Sequence, residues 1–337
     1  TIQTACTNKF LQNIASGKHI LLIVDEVHRI GSTKYQKILE RIRSGARLGL
    51  SATPKRAGDP YGTSVILDYF EKIIEPPFTI YDGIKAGLLS EYTYEVHTVN
   101  LNSMEQEHWD NITKQIIILY WKFHSTNEPE LRKQIKMLNI KRARIIKGAE
   151  EKDSLVYEIL NKQFNDGDKW LVYFDNIDQL ENSRLLLSTI KADVNIYYSR
   201  MEGDKDQVLK YFEEEGGIIL SIKCLDEGID IPSANKALIV ASSKNPREFI
   251  QRRGRVLRTS EDKSHSEIHD LLVLPATLNP NERYTSIVES ELARAIEFGE
   301  HSLSSGTVAK IKNIAIDYGI DLDLVKGGGV EEEKDED

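Results

Sequence analysis

Ile20-Leu21-Leu22-Ile23-Val24-Asp25-Glu26-Val27-His28 runs five apolar residues, three of them β-branched, straight into two adjacent carboxylates. An unbroken apolar run of this length predicts a strand buried on both faces, as in a parallel sheet beneath helices. Asp25 and Glu26 then emerge at the carboxyl end of the strand, where open α/β sheets place their ligands. A carboxylate there suits a Mg2+ ion that bridges nucleotide phosphates, and a second suits a water that must be oriented or deprotonated. The plain alternative is an ordinary strand closed by a solvated acidic turn.

Working outward, residues 5–16 predict a helix leading into that strand. The spacing of Tyr35, Ile38, Leu39 and Ile42 predicts another over Thr33 to Ser44. Ala46 to Leu50 predicts a second strand, ending in Ser51-Ala52-Thr53-Pro54. Hydroxyls at one strand end beside carboxylates at another form a constellation. Pro76-Pro77 and the Gly83/Gly87 region break structure before an extended Tyr92 to Leu101, which marks a domain boundary. Met104 to Gly148 is helical and charged. Ile112, Ile116, Ile117 and Tyr120 share one face, and Lys133, Lys136, Lys141, Arg142, Arg144 and Lys147 form a basic run. That run is either a solvated helix surface or a phosphate-contacting one.

Beyond it the chain alternates helix and strand, as a parallel α/β sheet requires. Strands are predicted at Lys169 to Phe174, Val194 to Tyr198, Gly217 to Ile222, Lys236 to Ala241 and His269 to Leu274. Asp204 caps a helix with Gln207 three residues on. Asn245-Pro246-Arg247-Glu248 opens another, which carries Gln251-Arg252-Arg253-Gly254-Arg255-Val256-Leu257-Arg258. A last helical stretch spans Val288 to Phe298.

The 337 residues suffice for two cores, and 40% apolar with 29% charged residues describes an ordinary globular chain. A net charge of −9 leaves nucleic-acid contact to local basic strips. Part of that charge is terminal, since the acidic residues after Gly327-Gly328-Gly329 read as a disordered tail. Cys6 and Cys224 lack metal-ligand spacing, which suits a reduced, cytoplasmic protein. No signal peptide pattern is present, and no apolar stretch nears the ~18 residues of a membrane span. The opening at Thr1, without Met, reads as the interior of a longer protein.

Four stretches together resemble superfamily 2 helicases and translocases. Asp25 to His28 (DEVH) is similar to the DExH box, and Ser51-Ala52-Thr53 to motif III. Cys224 to Pro232, CLDEGIDIP, is similar to motif V, and Gln251 to Arg258, QRRGRVLR, to motif VI. The branch most resembled holds the xeroderma pigmentosum group B helicase and the motors of type I and III restriction enzymes. The resemblance covers roughly residues 1–300 and implies an α/β fold. It implies two RecA-like parallel-sheet domains, the first incomplete, with a helical insert between them.

By this resemblance the cofactors are ATP and Mg2+, with Asp25 holding the ion through water and Glu26 acting as catalytic base. His28 links the nucleotide site to motif III, and Ser51 and Thr53 couple hydrolysis to motion. Gly228 and Asp230 shape the loop between nucleotide and nucleic acid. Gln251, Arg255 and Arg258 complete the catalytic set. Arg255 and Arg258, three apart on a helix, share a face, and Arg258 is the favoured arginine finger. The implied partner is DNA, duplex and gripped at phosphates without sequence preference, with subunits of a defence or repair complex and no membrane.

One part of the pattern is missing. The phosphate loop G-x-x-x-x-G-K-[ST] has no match, and Ser16-Gly17-Lys18-His19 precedes its strand and lacks the hydroxyl. The sequence therefore divides into a partial first domain (1–90), linker and helical insert (91–150), and second domain (151–275). C-terminal helices (276–325) and an acidic tail (326–337) follow. A truncated motor, inactive by itself, is the leading expectation. A catalytically silent nucleic-acid-binding or regulatory module and an RNA helicase are the alternatives.

Overall fold

The computed structural model describes residues 1–14, 17–51, 54–56, 59–198, 201, 203–222, 233–240, 254, 256–260, 263–276 and 286–321. Motif V, Thr53, Gln251, Arg255 and the acidic tail lie outside the described residues. Among the described residues, no helix is long and apolar enough to cross a membrane. The chain divides into two compact units after Thr79.

In the first unit, β1 (Gly17–Val24) and β2 (Ser44–Gly49) pair in parallel, with Leu21 opposite Ala46 and Val24 opposite Gly49. The helix expected over 5–16 is broken into α1 (Ile2–Ala5) and α2 (Asn8–Asn13). The break falls at Thr7, whose Oγ1 accepts the Phe10 amide at 3.3 Å and starts the second helix. Only Lys37–Arg41 of the expected Thr33–Ser44 helix forms, as α3, and α4 follows at Pro60–Phe70. Val27, Ile30, Tyr35, Ile38, Ile42 and Ile66 make the core, with Leu22 and Val24 packed against it.

Here the expectation of burial on both faces of β1 fails. Side chains alternate along a strand, so Leu22 and Val24 turn to the core while Leu21 and Ile23 stay 56% and 55% exposed. The apolar run holds two faces, and only one of them is covered.

The second unit is built on one six-stranded, all-parallel sheet of order β3-β8-β7-β4-β6-β5. Its strands are β3 (Tyr92–Asn100), β4 (Lys169–Phe174), β5 (Val194–Tyr197), β6 (Gly217–Ile222), β7 (Lys236–Ile239) and β8 (Ser266–Leu274). Trp170 to Phe174 and Ile218 to Leu220 are buried on both faces, the condition that continuous apolar strands require. Helices α8 (Glu151–Gln163), α9 (Ile177–Leu187) and α10 (Lys205–Glu215) alternate with the strands. Asp204 caps α10 as expected, accepting the Asp206 and Gln207 amides at 3.0 and 3.2 Å.

Residues 91–150, set apart on sequence as linker and insert, contribute β3 to this sheet before the long helices begin. β3 pairs with β8 over its whole length, from Tyr92 opposite Ser266 to Asn100 opposite Leu274. β3 is the extended stretch expected at Tyr92 to Leu101, and only its partner, far along the chain, left no local sign. After α5 (Ile80–Lys85), the helices α6 (Ser103–Thr126) and α7 (Pro129–Lys147) pack on each other. Asn102 and Glu105 close a capping box at the start of α6. Arg142 leaves the expected basic surface. It is 2% exposed, its guanidinium lies 4.9 Å from the Trp109 ring centre, and Nη1 reaches Thr113 at 3.4 Å.

Helices α11 (Ser286–Gly299) and α12 (Thr307–Asp317) also dock on this sheet. Tyr92 donates its hydroxyl to the Phe298 carbonyl at 2.7 Å, Tyr94 donates to Asp270 at 2.7 Å, and Lys310 donates to the Val96 carbonyl at 2.6 Å. Between β3 and β8, His97 and His269 stack and approach to 3.0 Å, Nε2 to Nδ1. Burial drives the His269 pKa down to about 3 and also lowers that of His97, so the pair is neutral at pH 7.

Candidate active site

The first unit brings the end of β1 against the end of β2. The Leu50 amide donates to the Val24 carbonyl at 2.8 Å, and the Val27 amide donates to the Leu50 carbonyl at 2.9 Å. Those two bonds carry the parallel pairing one step past each strand and leave Asp25 and Glu26 level with Ser51. Gly49 is needed for the approach, because a Cβ there would lie 2.8 Å from Val27 Cγ2.

The chain turns sharply at Glu26, which adopts φ 49°, ψ 49° and opens the 3-10 turn Val27–Gly31. A left-handed glutamate costs on the order of 1 kcal/mol, and such strain gathers at sites where a side chain must be aimed. Asp25 Oδ1 accepts the Glu26 amide at 2.8 Å and stabilises the turn. The Asp25 side chain is otherwise at the surface of this strand end, which fits a carboxylate that meets a hydrated Mg2+ through water.

His28 is 4% exposed. Its Nδ1 lies 3.1 Å from Ser51 Oγ and 3.2 Å from Glu26 Oε2, so one imidazole nitrogen addresses both strand ends. From behind, Arg56 Nη1 donates to the His28 carbonyl at 2.5 Å, and Asp59 holds the same guanidinium at 2.8 Å. Asp59 also caps α4 through the Gly62 amide at 2.8 Å. Arg56 and Asp59 carry no sequence signal as site residues. Their part is legible only once α4 is seen to pack on the 3-10 turn. Of the expected set, Asp25, Glu26, His28 and Ser51 thus come together.

In the second unit, Arg258 lies elsewhere than expected. Gly254 and Val256 are helical, but Leu257 turns and Arg258 forms an antiparallel bridge with Leu89. Its expected place on the helix is therefore corrected, since Arg258 stands past the helix end. The cause is a set of donors that claim the carbonyls of the last turn. Ser90 donates its amide to Leu257 at 2.7 Å, and Ser266 donates its hydroxyl to Val256 at 2.8 Å. Lys263 Nζ donates to the carbonyls of Val256, Arg258 and Ala234, the last two at 2.8 Å each. Burial lowers the Lys263 pKa to about 8. A second buried lysine, Lys152, bonds the carbonyls of Lys147 at 3.1 Å and Val240 at 3.0 Å, and so ties the end of α7 to the end of β7. Gly228, Asp230, Gln251, Arg255 and Thr53 lie outside the described residues.

Comparison with known proteins follows the same two segments. Residues 151–260 match the helicase conserved C-terminal domain, and residues 1–56 match the type III restriction enzyme res subunit. The DNA 3'-5' translocase XPB2 of Sulfurisphaera tokodaii is 23% identical over 73% of this chain and 57% of its own length. A probable helicase of African swine fever virus is 25% identical over 86% of this chain and 31% of its own length. The chain thus spans little more than half of one curated relative and a third of the other. The fold is similar to that of the ATP-dependent type ISP restriction-modification enzyme LlaBIII, solved bound to DNA. That likeness has a TM-score of 0.55 at 15% identity and covers 91% of this chain and 22% of that one. A DEVH strand end bonded to its serine, and a helicase C-terminal match on a parallel sheet, make this chain similar in both segments to superfamily 2 helicases and translocases.

Proposed function

We propose that this chain is motor machinery that couples ATP hydrolysis to movement along duplex DNA, gripped at its phosphates. The observation that carries the reading is the junction of Glu26, His28 and Ser51, with Nδ1 at 3.2 Å from one and 3.1 Å from the other. Phosphoryl transfer asks a protein for positioning and charge neutralisation more than for covalent help. Asp25 would hold a Mg2+ ion, which would supply charge neutralisation for the phosphates. Glu26, aimed by its left-handed backbone, orients and deprotonates the attacking water. His28, in reach of both, links the position of Glu26 to Ser51 at the end of the next strand. Arg255 and Arg258 supply positive charge from the helicase C-terminal domain, with Arg258 held at the helix end by the Leu89 bridge.

The cradle for the nucleotide's phosphates has no counterpart in these 337 residues, so turnover by this chain alone is negligible in this reading. The competing class is a silent nucleic-acid-binding module that keeps the fold without the chemistry. ATP hydrolysis with and without duplex DNA, run beside Glu26→Gln, tests the assignment. The expected result is no turnover above background in either protein. DNA binding should persist in both and fall steeply with salt. Turnover that vanishes in Glu26→Gln would establish the base and overturn the claim of inactivity. Absence of DNA binding would sink the motor reading, and tighter binding of single-stranded RNA would favour the RNA alternative.

A further inference from the structure

The β3–β8 pair carries a second cluster of chemistry-bearing side chains, independent of the DEVH strand end. The parallel register sets Glu95 opposite His269, and His97 follows Glu95 by two residues and so shares its face. Glu95 Oε2 lies 3.6 Å from His269 Nδ1 and 4.0 Å from His97 Nε2, and the two nitrogens are 3.0 Å apart. The three potential ligand atoms therefore all lie within 4.8 Å of one another.

A hydrogen-bonded imidazole pair is one tautomer of this arrangement, and a metal-ligating pair is another. Between two neutral imidazoles only one N–H lies on the line joining them, so one nitrogen presents a lone pair. The Glu95 carboxylate faces the same two atoms. With each ring's N–H on its far nitrogen, all three atoms present lone pairs to the space between them. One divalent cation there would accept all three.

The dimensions agree. Ligand atoms at ~2.0–2.1 Å from a tetrahedral zinc stand about 3.3–3.4 Å from each other, and the observed separations bracket that value. Two nitrogens and one oxygen favour a borderline metal over Mg2+ or Ca2+. Glu95 is 55% exposed while His269 is 5% exposed, so the triangle opens to solvent on one side and rests on the sheet on the other. Trp170 stacks on the His269 ring at 5.3 Å and fixes its plane. The nearby Lys236 ammonium is balanced by Asp168 at 3.0 Å and Glu267 at 3.4 Å.

We propose that Glu95, His97 and His269 form a binding site for one zinc ion, which clips the edge strand β3 to β8 and leaves a fourth position for water. Among the described residues no acceptor meets His269 Nε2. A metal-bound histidine lacking that outer partner binds about 10–100-fold more weakly than a supported one. The site is accordingly of moderate affinity and fills by titration.

The test is equilibrium dialysis of the full chain against Zn2+, with a parallel Co2+ titration followed by visible absorption. The expected result is one zinc per chain and the intense bands of tetrahedral Co2+. Binding should weaken about 10-fold or more in Glu95→Gln and be lost in His97→Gln. Both substitutions fall at positions that reach solvent, and circular dichroism checks their folding. Zinc should also slow hydrogen exchange in residues 92–100. No saturable zinc uptake, weak octahedral Co2+ bands, or uptake unchanged in His97→Gln overturns the proposal, and the first two outcomes need no variant to fold.

Discussion

Lys152 shows how far one side chain can depart from its sequence context. Near the start of a charged helix it reads as a surface residue, yet its relative exposure is 0% and its ammonium is spent on two carbonyls. Burial lowers its pKa from 10.5 to about 8. Over that interval the unfolded chain binds more protons than the folded one, so stability rises with pH. Raising pH from 8 to 10 is expected to stabilise the second unit by about 2 kcal/mol through this group alone, an increment missing in Lys152→Met. Urea unfolding followed by tryptophan fluorescence reads it cleanly, because Trp109, Trp121 and Trp170 are the chain's three tryptophans and all belong to that unit. A wild-type increment equal to that of the variant would show that the ammonium is not desolvated. The DEVH residues, by contrast, are legible in sequence because an apolar run that ends in carboxylates is a local pattern. Lys152, Lys263 and Arg56 are not, since each acts on a carbonyl far along the chain.

At the scale of elements, strands covered on both faces were the easiest to read. β4 and β6 fall where continuous apolar runs put them, because burial on both faces writes itself into every position. β1 carries the same signature without the same surroundings, and composition could not distinguish a covered face from an open one. That difference is measurable. Leu21→Lys and Ile23→Lys are expected to change the stability of the first unit by no more than about 0.5 kcal/mol, as surface substitutions do. Ile30→Ala, at 1% exposure, is expected to cost about 2–5 kcal/mol. Native-state hydrogen exchange of amides in 17–49 would report both. A large loss in the lysine variants would mean that the apolar face is covered after all. The end of the helix around Gly254 was not readable. Its end depends on Ser90, Lys263 and Ser266, which arrive from other elements.

For the whole molecule, the two units differ in how much apolar surface each retires from water. Among the described residues, six buried ones form the core of the first, whereas a cluster in the second joins Val99, Trp109, Leu160, Trp170, Phe174 and many others. Buried apolar area scales with stability, so limited proteolysis should cut within residues 1–79 before it cuts the second unit. First cleavage inside residues 80–321 would reverse that ranking. The second unit also places a demand on protein synthesis. Tyr94 and Asp270, which accepts its hydroxyl from the neighbouring strand, are 176 residues apart in the chain. At ordinary elongation speeds of ~5–20 residues per second, β3 leaves the ribosome roughly 9–35 s before the strand that pairs with it exists. Throughout that interval a tyrosine-rich edge with free amides and carbonyls waits beside a pair of long helices that can already form. The nascent chain is therefore most exposed to mispairing and most in need of a chaperone at its centre, well before the helicase C-terminal domain is complete.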